Sequence, residues 1–445
     1  MKKHVAFGLA DAMLSGPATH TSARSRCAKA LGKDGRWLIA LCKSMAQLHR
    51  HYWTPNARRV VAASILAHPE FNKAWHAAEQ PAIRFYFLPS PQLGMRPINL
   101  AHCALPDLPT AGQIAEWLHL EPRQLDWFAD LRGRNAWAED ERLKHYSYRW
   151  VPKRSGGHRL LEIPKTRLRD LQRKLLRDLL EYIPPHEAAH GFRARHSCLS
   201  NAAPHVGQKV VIRMDLQDFF VSIGSARVGG VFRMLGYPEC VARILAGLCS
   251  TQVPSAMFNV RDPGKYDFEL PQVDWLMRKR LRSPHLPQGA PTSPALANLC
   301  AFNLDLRLQT AVEAMGGRYT RYADDLTFSG GADLAQGASR FTELVARIVI
   351  EEGYALNFRK TRIMLAGVRQ QVTGIVVNEK LSLSRRDCDG LKATLHNCVR
   401  LGPSSQNRNR VRDFRAHLAG KVAHVMSVNP ARGQRMKSLL DRIAW

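Results

Sequence analysis

Three aspartates in two separate segments are the residues of this chain best suited to metal chemistry. Asp324 and Asp325 are adjacent in TRYADDLTFSG (residues 320–330), and Asp215 closes the mostly apolar run VVIRMD. Neighbouring carboxylates repel each other, and a buried charge without a partner is expensive. Carboxylate oxygens suit Mg²⁺, and two such ions about 4 Å apart activate the attacking oxygen and stabilise the leaving oxygen in phosphoryl transfer. The three residues therefore predict a site for divalent metal ions.

The residues around these aspartates predict the strands that position them. Both flanks of Asp324 are rich in β-branched and aromatic residues, which predicts two short strands with a tight turn between them. The segment QKVVIRMDLQDFFVSI (208–223) predicts a buried strand, and if these strands are neighbours, Asp215 and Asp324 converge at one sheet edge. YADD alone is also typical of a solvated turn. Its combination with Asp215 and a basic chain favours the metal site.

The composition points to a nucleic-acid partner. The 445 residues include 65 Lys and Arg against 37 Asp and Glu, a net charge of +28. Such a surface repels itself unless it meets a polyanion; a basic protein without such a partner is the alternative.

Nine cysteines with no C-x-x-C pair favour reduced thiols over a disulfide framework or a zinc ribbon. No apolar run is long enough to span a membrane, so we expect a cytoplasmic protein.

The order of the predicted elements indicates an α+β fold, in which a sheet is backed by helices. Residues 1–140 are mostly helical and carry no recognisable chemistry. YSYRWVPKRSGGHRLLEIPK predicts a hairpin with Ser155-Gly156-Gly157 at its turn. Residues 251–285 are rich in proline and charge, which predicts an inserted loop. Residues 381–445 are helical and basic, with 13 Lys and Arg against 4 Asp.

Several motifs together resemble reverse transcriptases. YADD, MDLQDFF and LPQGAPTSP resemble the palm motifs, LNFRKTRIM resembles the lysine-bearing palm motif, and RWVPKRSGGHRLLEIPK and HGFRARHSCLSN resemble the finger motifs. The similarity runs in order from about residue 146 to the end. NAAPH (201–205) and VTG (372–374) resemble the N-A-x-x-H and V-T-G motifs of retron reverse transcriptases.

The resemblance implies a right-hand polymerase fold. Its parts would be fingers at 141–207, a palm of antiparallel sheet and helices at 208–380 with the insertion 251–285, and a helical basic thumb at 381–445. A mostly helical N-terminal extension at 1–140 precedes them, and compact retron enzymes lack most of this extension and of the insertion.

The resemblance also implies a role for individual residues at the polymerase site. Asp215, Asp324 and Asp325 would be the catalytic and metal-binding aspartates, the first two as direct ligands of two Mg²⁺ ions, with Mn²⁺ as a possible substitute. The implied nucleotide-binding residues are Arg159 and Lys153 for the triphosphate, Phe220 as a steric gate against a 2′-hydroxyl, Gln288 and Gly289 beside the nascent base pair, and Lys360 for the pyrophosphate leaving group.

Residues outside the polymerase site are implied in RNA recognition. The arginines and lysines of the thumb would contact RNA phosphates, which makes affinity sensitive to salt. Asn201 and His205 would serve either RNA recognition or local scaffolding, and the sequence does not separate these roles. The implied RNA-recognition residues are Asn201, His205, Val372, Thr373, Gly374, Arg408, Arg410 and Arg412.

The function implied by the resemblance is that of a retron reverse transcriptase. Such an enzyme copies a structured non-coding RNA into multicopy single-stranded DNA, starting from a guanosine 2′-hydroxyl, as part of an anti-phage defence system. The implied partners are this RNA and its DNA product, deoxynucleoside triphosphates, an effector or toxin protein and host ribonuclease H. The alternatives are a group II intron-like or other defence reverse transcriptase, and a non-catalytic RNA-binding scaffold for a toxin or effector.

Overall fold

The structure of the protein is a computed structural model that describes residues 1–49, 53, 57–87, 93–153, 158–258 and 275–445. The described chain divides into two compact units. One comprises Met1–Arg96, Asp107–Ile114 and Leu235–Val241. The other comprises Pro97–Pro106, Ala115–Met234 and Ala242–Trp445. Among the described residues, no helix is both long and apolar enough to cross a membrane.

The first unit is helical in its described part. Apolar residues recur at helical spacing, and side chains such as Leu9, Met13, Leu38, Leu41 and Phe71 are fully buried in one shared core. The helices of this unit are α1 (Lys2–Leu14), α2 (His20–Leu31), α3 (Arg36–Leu48), α4 (Arg58–Ala67) and α5 (Pro69–Trp75).

The second unit combines helices with antiparallel strands. Its strands are β1 (Tyr146–Pro152), β2 (His158–Pro164), β3 (Val210–Asp215), β4 (Arg318–Tyr322), β5 (Asp325–Gly330), β6 (Arg362–Leu365), β7 (Gln371–Val372) and β8 (Ile375–Val376). Its helices, of which α6 and α11 begin in the first unit, are α6 (Ala111–Trp117), α7 (Pro122–Ala129), α8 (Thr166–Asp178), α9 (Cys198–Ala202), α10 (Ser225–Met234), α11 (Glu239–Cys249), α12 (Trp275–Leu281), α13 (Ser293–Cys300), α14 (Phe302–Glu313), α15 (Ala332–Gln336), α16 (Ala338–Glu351), α17 (Arg385–Leu401), α18 (Phe414–Val428) and α19 (Pro430–Asp441).

A four-stranded antiparallel sheet lies at the centre of the second unit, in the order β4-β5-β3-β6. Phe328 of β5 stacks on Tyr319 of β4 at 5.0 Å and meets Phe341 of α16 edge-on at 5.1 Å. All three rings are buried, so α16 packs against this face of the sheet. The predicted α+β class is therefore confirmed, and so is the predicted hairpin over residues 318–330.

The strand predicted over 208–223 is shorter than expected. It leaves the ladder after Asp215, because the backbone N–H of Leu216 donates to the carbonyl of Asp324 and that of Gln217 donates to Ala355. Asp218 then adopts a φ of 51°, which a strand cannot accommodate. The turn that follows carries Phe219 and Phe220 out of the sheet.

The composition of residues 251–285 predicts an inserted loop, but in the structure both flanks of this segment are folded into the second unit. Thr251 and Gly224 each form a β-bridge with His285, and α12 lies within the segment. Val253 and Leu281 are buried with residues of the β1–β2 hairpin. The middle of this segment, 259–274, and the predicted turn Ser155-Gly156-Gly157 lie outside the described residues.

Candidate active site

The β3–β5 ladder brings the two acidic segments together. Asp215 is the last residue of β3 and pairs directly with Asp325, the first residue of β5. Asp324 occupies the turn before Asp325, and its carbonyl accepts a hydrogen bond of 2.8 Å from the backbone N–H of Leu216. The predicted convergence of these segments at one sheet edge is confirmed.

The three carboxylates lie in a partly buried environment. Burial raises the pKa of Asp324 to about 6, and the charges of Asp215 and Asp325 act in the same direction. Burial also raises the pKa of Asp215, against the opposing effect of Lys360. The repulsion inferred from the adjacent aspartates is therefore present at this edge.

Two cationic side chains relieve part of that repulsion. The Lys360 Nζ lies 2.9 Å and 2.8 Å from the two carboxylate oxygens of Asp215. The Arg213 Nη2 lies 3.3 Å and 3.4 Å from those of Asp325. The pKa of Asp324 is nevertheless raised to about 6, so its carboxylate would gain from a further cation.

The donor set fits divalent metal ions by its chemistry. Three carboxylates at one edge offer hard oxygen ligands. Burial first, and then the charges of Asp215 and Asp325, raise the pKa of Asp324, and a cation would offset both effects. As the side chains stand, no group of three acidic, histidine or cysteine residues in the described ranges is arranged around a single ion position. Asp215 and Asp325 instead contact Lys360 and Arg213, so these two cationic side chains would have to move before metal ions could bind.

Phe220 lies in the turn that follows β3. It is half-buried, between Phe219 at 5.7 Å and Phe192 at 6.0 Å. Phe192, with a φ of 60°, is exposed next to it. This packing fixes the ring five residues after Asp215, where an implied gate would stand.

The β1–β2 hairpin carries the two basic residues expected at the triphosphate. Arg159 is exposed on β2, opposite Val151. Lys153 follows β1, and its Nζ lies 3.9 Å from the carboxylate of Asp218. Lys153 therefore lies near the turn that follows Asp215 in the chain.

The loop of Gln288 and Gly289 is attached to the same hairpin. The Gln288 backbone N–H donates to the Glu162 carboxylate, and the Gln288 carbonyl accepts from the Glu162 N–H, both at 3.0 Å. Gly289 has a φ of 141°, and a Cβ there would lie 2.9 Å from the Glu162 carbonyl oxygen. Only glycine fits this contact.

Glu162 also forms a buried pair with His285, at 3.0 Å between Oε1 and Nε2. Burial alone would lower the pKa of His285, but the Glu162 carboxylate outweighs it and raises that pKa. Sequence reasoning missed this pair. A single glutamate in a strand and a histidine far away in the chain give no local signal of contact.

The NAAPH and VTG motifs pack on the sheet and on each other. His205 is fully buried, hydrogen-bonded to Ser329 at 2.6 Å and to Thr320 at 2.8 Å. The Thr373 hydroxyl donates to the Cys198 carbonyl at the start of α9. Val372 is buried in the same cluster as Ala202.

This burial bears on the expected part of these motifs in RNA recognition. Asn201, His205 and Val372 are each 0% exposed, so these side chains have no surface open to RNA in this structure, and their part in RNA recognition stays a prediction. Thr373 and Gly374 form the two-residue turn between β7 and β8, both with positive φ. Scaffolding is the role that the contacts of His205 support.

The arginines expected to contact RNA in the C-terminal segment are accessible. Arg408, Arg410 and Arg412 are all exposed in the connection between α17 and α18. The helices α17, α18 and α19 share a core that includes Leu395 and Leu418. The connection therefore presents its charges from a folded helical base.

Arg321 is a buried residue of this site that sequence reasoning also missed. It precedes the turn of Asp324 and Asp325 and forms a fully buried ion pair with Asp305 of α14. A charged residue inside a short strand and an aspartate among the leucines of FNLDLRL are the signals that could have indicated it.

Comparison with known proteins identifies the family. The model of the reverse transcriptase (RNA-dependent DNA polymerase) family matches residues 151–398, more than half of the chain. The retron Mx65 reverse transcriptase of Myxococcus xanthus is 43% identical over 296 residues, which cover 66% of this chain and 64% of that protein. The retron Mx162 reverse transcriptase of the same organism is 34% identical, covering 76% and 68%. The retron Ec86 reverse transcriptase of Escherichia coli is 30% identical, covering 63% and 75%.

The matched region therefore spans just under two thirds of the Mx65 protein and somewhat more of the other two. The family match confirms the predicted right-hand polymerase fold, with the central sheet and its backing helices as the palm. This chain belongs to the reverse transcriptases and, among them, to the retron reverse transcriptases.

Proposed function

We propose that this protein is an RNA-directed DNA polymerase that copies a structured non-coding RNA by two-metal phosphoryl transfer. The observation that carries this proposal is the convergence of Asp215, Asp324 and Asp325 at one edge of the sheet, beside Lys360. The family match supports the reaction class, and the net charge of +28 suits a nucleic-acid substrate.

Asp215 and Asp324 would hold two Mg²⁺ ions, with Mn²⁺ as a possible substitute, and Asp325 would add negative field. When bound, such ions activate the attacking hydroxyl and stabilise the leaving oxygen. Lys360 would release Asp215 and contact the pyrophosphate leaving group. Arg159 would bind the triphosphate, because its planar fork matches phosphate oxygens.

Substrate selection would come from residues around this edge. The Phe220 ring, held between Phe192 and Phe219, would clash with a 2′-hydroxyl and so favour deoxynucleotides. Lys153 would assist Arg159 at the triphosphate. Gly289 would let the loop backbone approach the nascent base pair.

The finer proposal concerns the product. Synthesis would start from a guanosine 2′-hydroxyl in the RNA and give a branched RNA–DNA molecule, multicopy single-stranded DNA. The retron relatives and the NAAPH and VTG motifs support this step. An anti-phage role, an effector or toxin partner, trimming by host ribonuclease H and a cytoplasmic location belong to the same proposal.

The test is to sequence the nucleic acid that co-purifies with the protein and to assay primer extension with Mg²⁺. A branched RNA–DNA molecule together with Mg²⁺-dependent extension is the expected result. Linear DNA from an ordinary 3′ end would favour a group II intron-like or other defence enzyme. RNA binding without any extension would favour a non-catalytic scaffold.

A further inference from the structure

The buried guanidinium group of Arg321 contacts the turn that carries Asp324 and Asp325. We propose that Arg321 is a positioning residue that sets the catalytic turn and connects it to α13 and α14. This inference rests on the proposed polymerase function. Four sets of contacts carry it, all within the second unit.

The first contact is a bidentate ion pair with α14. The Arg321 Nη2 lies 2.6 Å from Asp305 Oδ2, and its Nε lies 2.7 Å from Asp305 Oδ1. Both side chains are 0% exposed, and the Tyr319 hydroxyl also donates to Asp305. Two apolar side chains would fill the same volume without the cost of desolvating two charges. The pair is therefore better explained by the geometry that it imposes than by the stability that it adds.

The second contact reaches the turn itself. The Arg321 Nη1 donates to the carbonyl oxygen of Ala323 at 3.1 Å. Ala323 has a φ of 57°, a left-handed conformation that is unfavourable for a residue with a Cβ. Its peptide leads directly into Asp324. The guanidinium thus stabilises a strained backbone at the point that sets the direction of the catalytic carboxylates.

The third set of contacts closes the turn from the side. The Arg321 Nη1 also donates to Asn298 Oδ1 at 2.9 Å, and Asn298 Nδ2 donates to the carbonyl of Gly191 at 2.9 Å. A Cβ on Gly191 would lie 2.5 Å from the backbone nitrogen of Ala323. The turn is therefore enclosed between Arg321 and Gly191 with no spare room.

The fourth contact joins the two catalytic segments. The Arg321 guanidinium lies 5.6 Å from the ring centroid of Phe219, in the turn that follows Asp215. Phe219 in turn lies 5.7 Å from Phe220. One side chain thus contacts the turn of Asp324 on one side and the segment of Asp215 on the other.

The first test is Arg321→Lys, which keeps the charge but loses the planar fork that serves Asp305, Asn298 and Ala323 together. We expect kcat for primer extension to fall about 100-fold, the effect of a displacement near 1 Å. The KM for deoxynucleotides and the affinity for the co-purifying RNA should stay within about threefold. Arg307→Lys is the matched control, because Arg307 lies on α14 and pairs with Glu351 and Glu352 instead.

A triple variant separates position from stability. Arg321→Met, Asp305→Leu and Tyr319→Phe together replace the buried polar group by apolar side chains. We expect this variant to melt within a few degrees of wild type and to remain as slow as Arg321→Lys. Recovery of kcat together with stability would show that Arg321 serves only the core, and would overturn the proposal.

Gly191→Ala is a second test of how the position of the turn affects kcat, for use if an arginine variant fails to fold. Its Cβ would push Ala323 without removing any charge, so kcat should again fall while the KM for deoxynucleotides holds. A Gly191→Ala enzyme with unchanged kcat would contradict the proposal. Wild-type protein is assayed in parallel. An inactive wild type would refute the polymerase function. Full activity in every variant would refute the positioning role of Arg321 and leave the polymerase function standing.

Discussion

Asp215 and Asp325 face each other as the last pair of the β3–β5 ladder. Residues opposite each other on neighbouring strands project from the same face of a sheet. With Asp324 in the adjoining turn, the ladder therefore concentrates three carboxylates at one edge. The predictions below follow from this pair and from the side chains around it.

The ring of Phe220 should control the choice of sugar. Phe220→Ala removes the surface that would meet a 2′-hydroxyl, so the preference for deoxynucleotides over ribonucleotides, measured as a ratio of kcat/KM values, should fall by at least about tenfold. Phe302→Ala, an exposed phenylalanine of α14, is the control and should leave the ratio unchanged. An unchanged ratio for Phe220→Ala would exclude the gate.

Lys360 should compete with metal ions and also assist the reaction. Lys360→Met removes the cation 2.8 Å from Asp215, so the Mg²⁺ concentration for half-maximal rate should fall. At saturating Mg²⁺, kcat should nevertheless drop about 10- to 100-fold, because the leaving group loses a positive partner. Lys380→Met, at an exposed position, should change neither value. A kcat equal to wild type would contradict the role at the leaving group.

His205 should make folding sensitive to mild acid. Burial lowers the pKa of His205 to about 3, below the value of about 6.5 for an unfolded histidine. Between pH 7 and pH 5 the unfolded state therefore binds a proton that the folded state does not, and stability falls with falling pH. The share of His205 is about 2 kcal/mol over this range.

Denaturant unfolding at pH 7 and pH 5 measures this share. His205→Gln should be less stable than wild type at pH 7, because the amide does not reproduce the geometry by which the two ring nitrogens contact Ser329 and Thr320. It should also lose less stability on acidification. A variant whose stability falls as steeply as that of wild type would show that His205 does not titrate in this range.

The exposed arginines between α17 and α18 should contribute to RNA binding through charge. Each of Arg408→Gln, Arg410→Gln and Arg412→Gln should reduce the slope of log K against log salt by about 0.7 to 0.9, one phosphate contact each. The RNA is the species that co-purifies with the protein. Arg142→Gln, whose side chain is 91% exposed, serves as the one-charge control. Equal slopes for all four variants would place the RNA elsewhere.

The sequence predicts the convergence of Asp215 with Asp324 and Asp325 well because its signals are local. Residues rich in β-branched and aromatic side chains around YADD indicate a hairpin, and the apolar run VVIRM indicates the buried strand that carries Asp215. The end of β3 was predicted eight residues too late, at 223 rather than at Asp215, because the positive φ of Asp218 and the change of hydrogen-bond partners depend on the tertiary fold.

The remaining features depend on contacts between distant residues. His205 meets Ser329 and Thr320 across 124 and 115 positions of sequence, so its scaffolding contacts have no local signature. Arg321 and Asp305 are 16 residues apart, on a strand and a helix whose packing no spacing rule supplies. Such pairs follow from the fold as a whole.

The most direct test of the central claim is primer extension by the double variant Asp324→Asn and Asp325→Asn, with RNA affinity measured on the same preparation. We predict that DNA synthesis is lost by at least about 1,000-fold, since one proposed ligand of the two ions, Asp324, and the negative field of Asp325 are neutralised while the fold is kept. RNA binding should persist, and Asp333→Asn, at an exposed position on α15, should retain full synthesis. Robust extension by the double variant would contradict the assignment of these carboxylates as the catalytic centre.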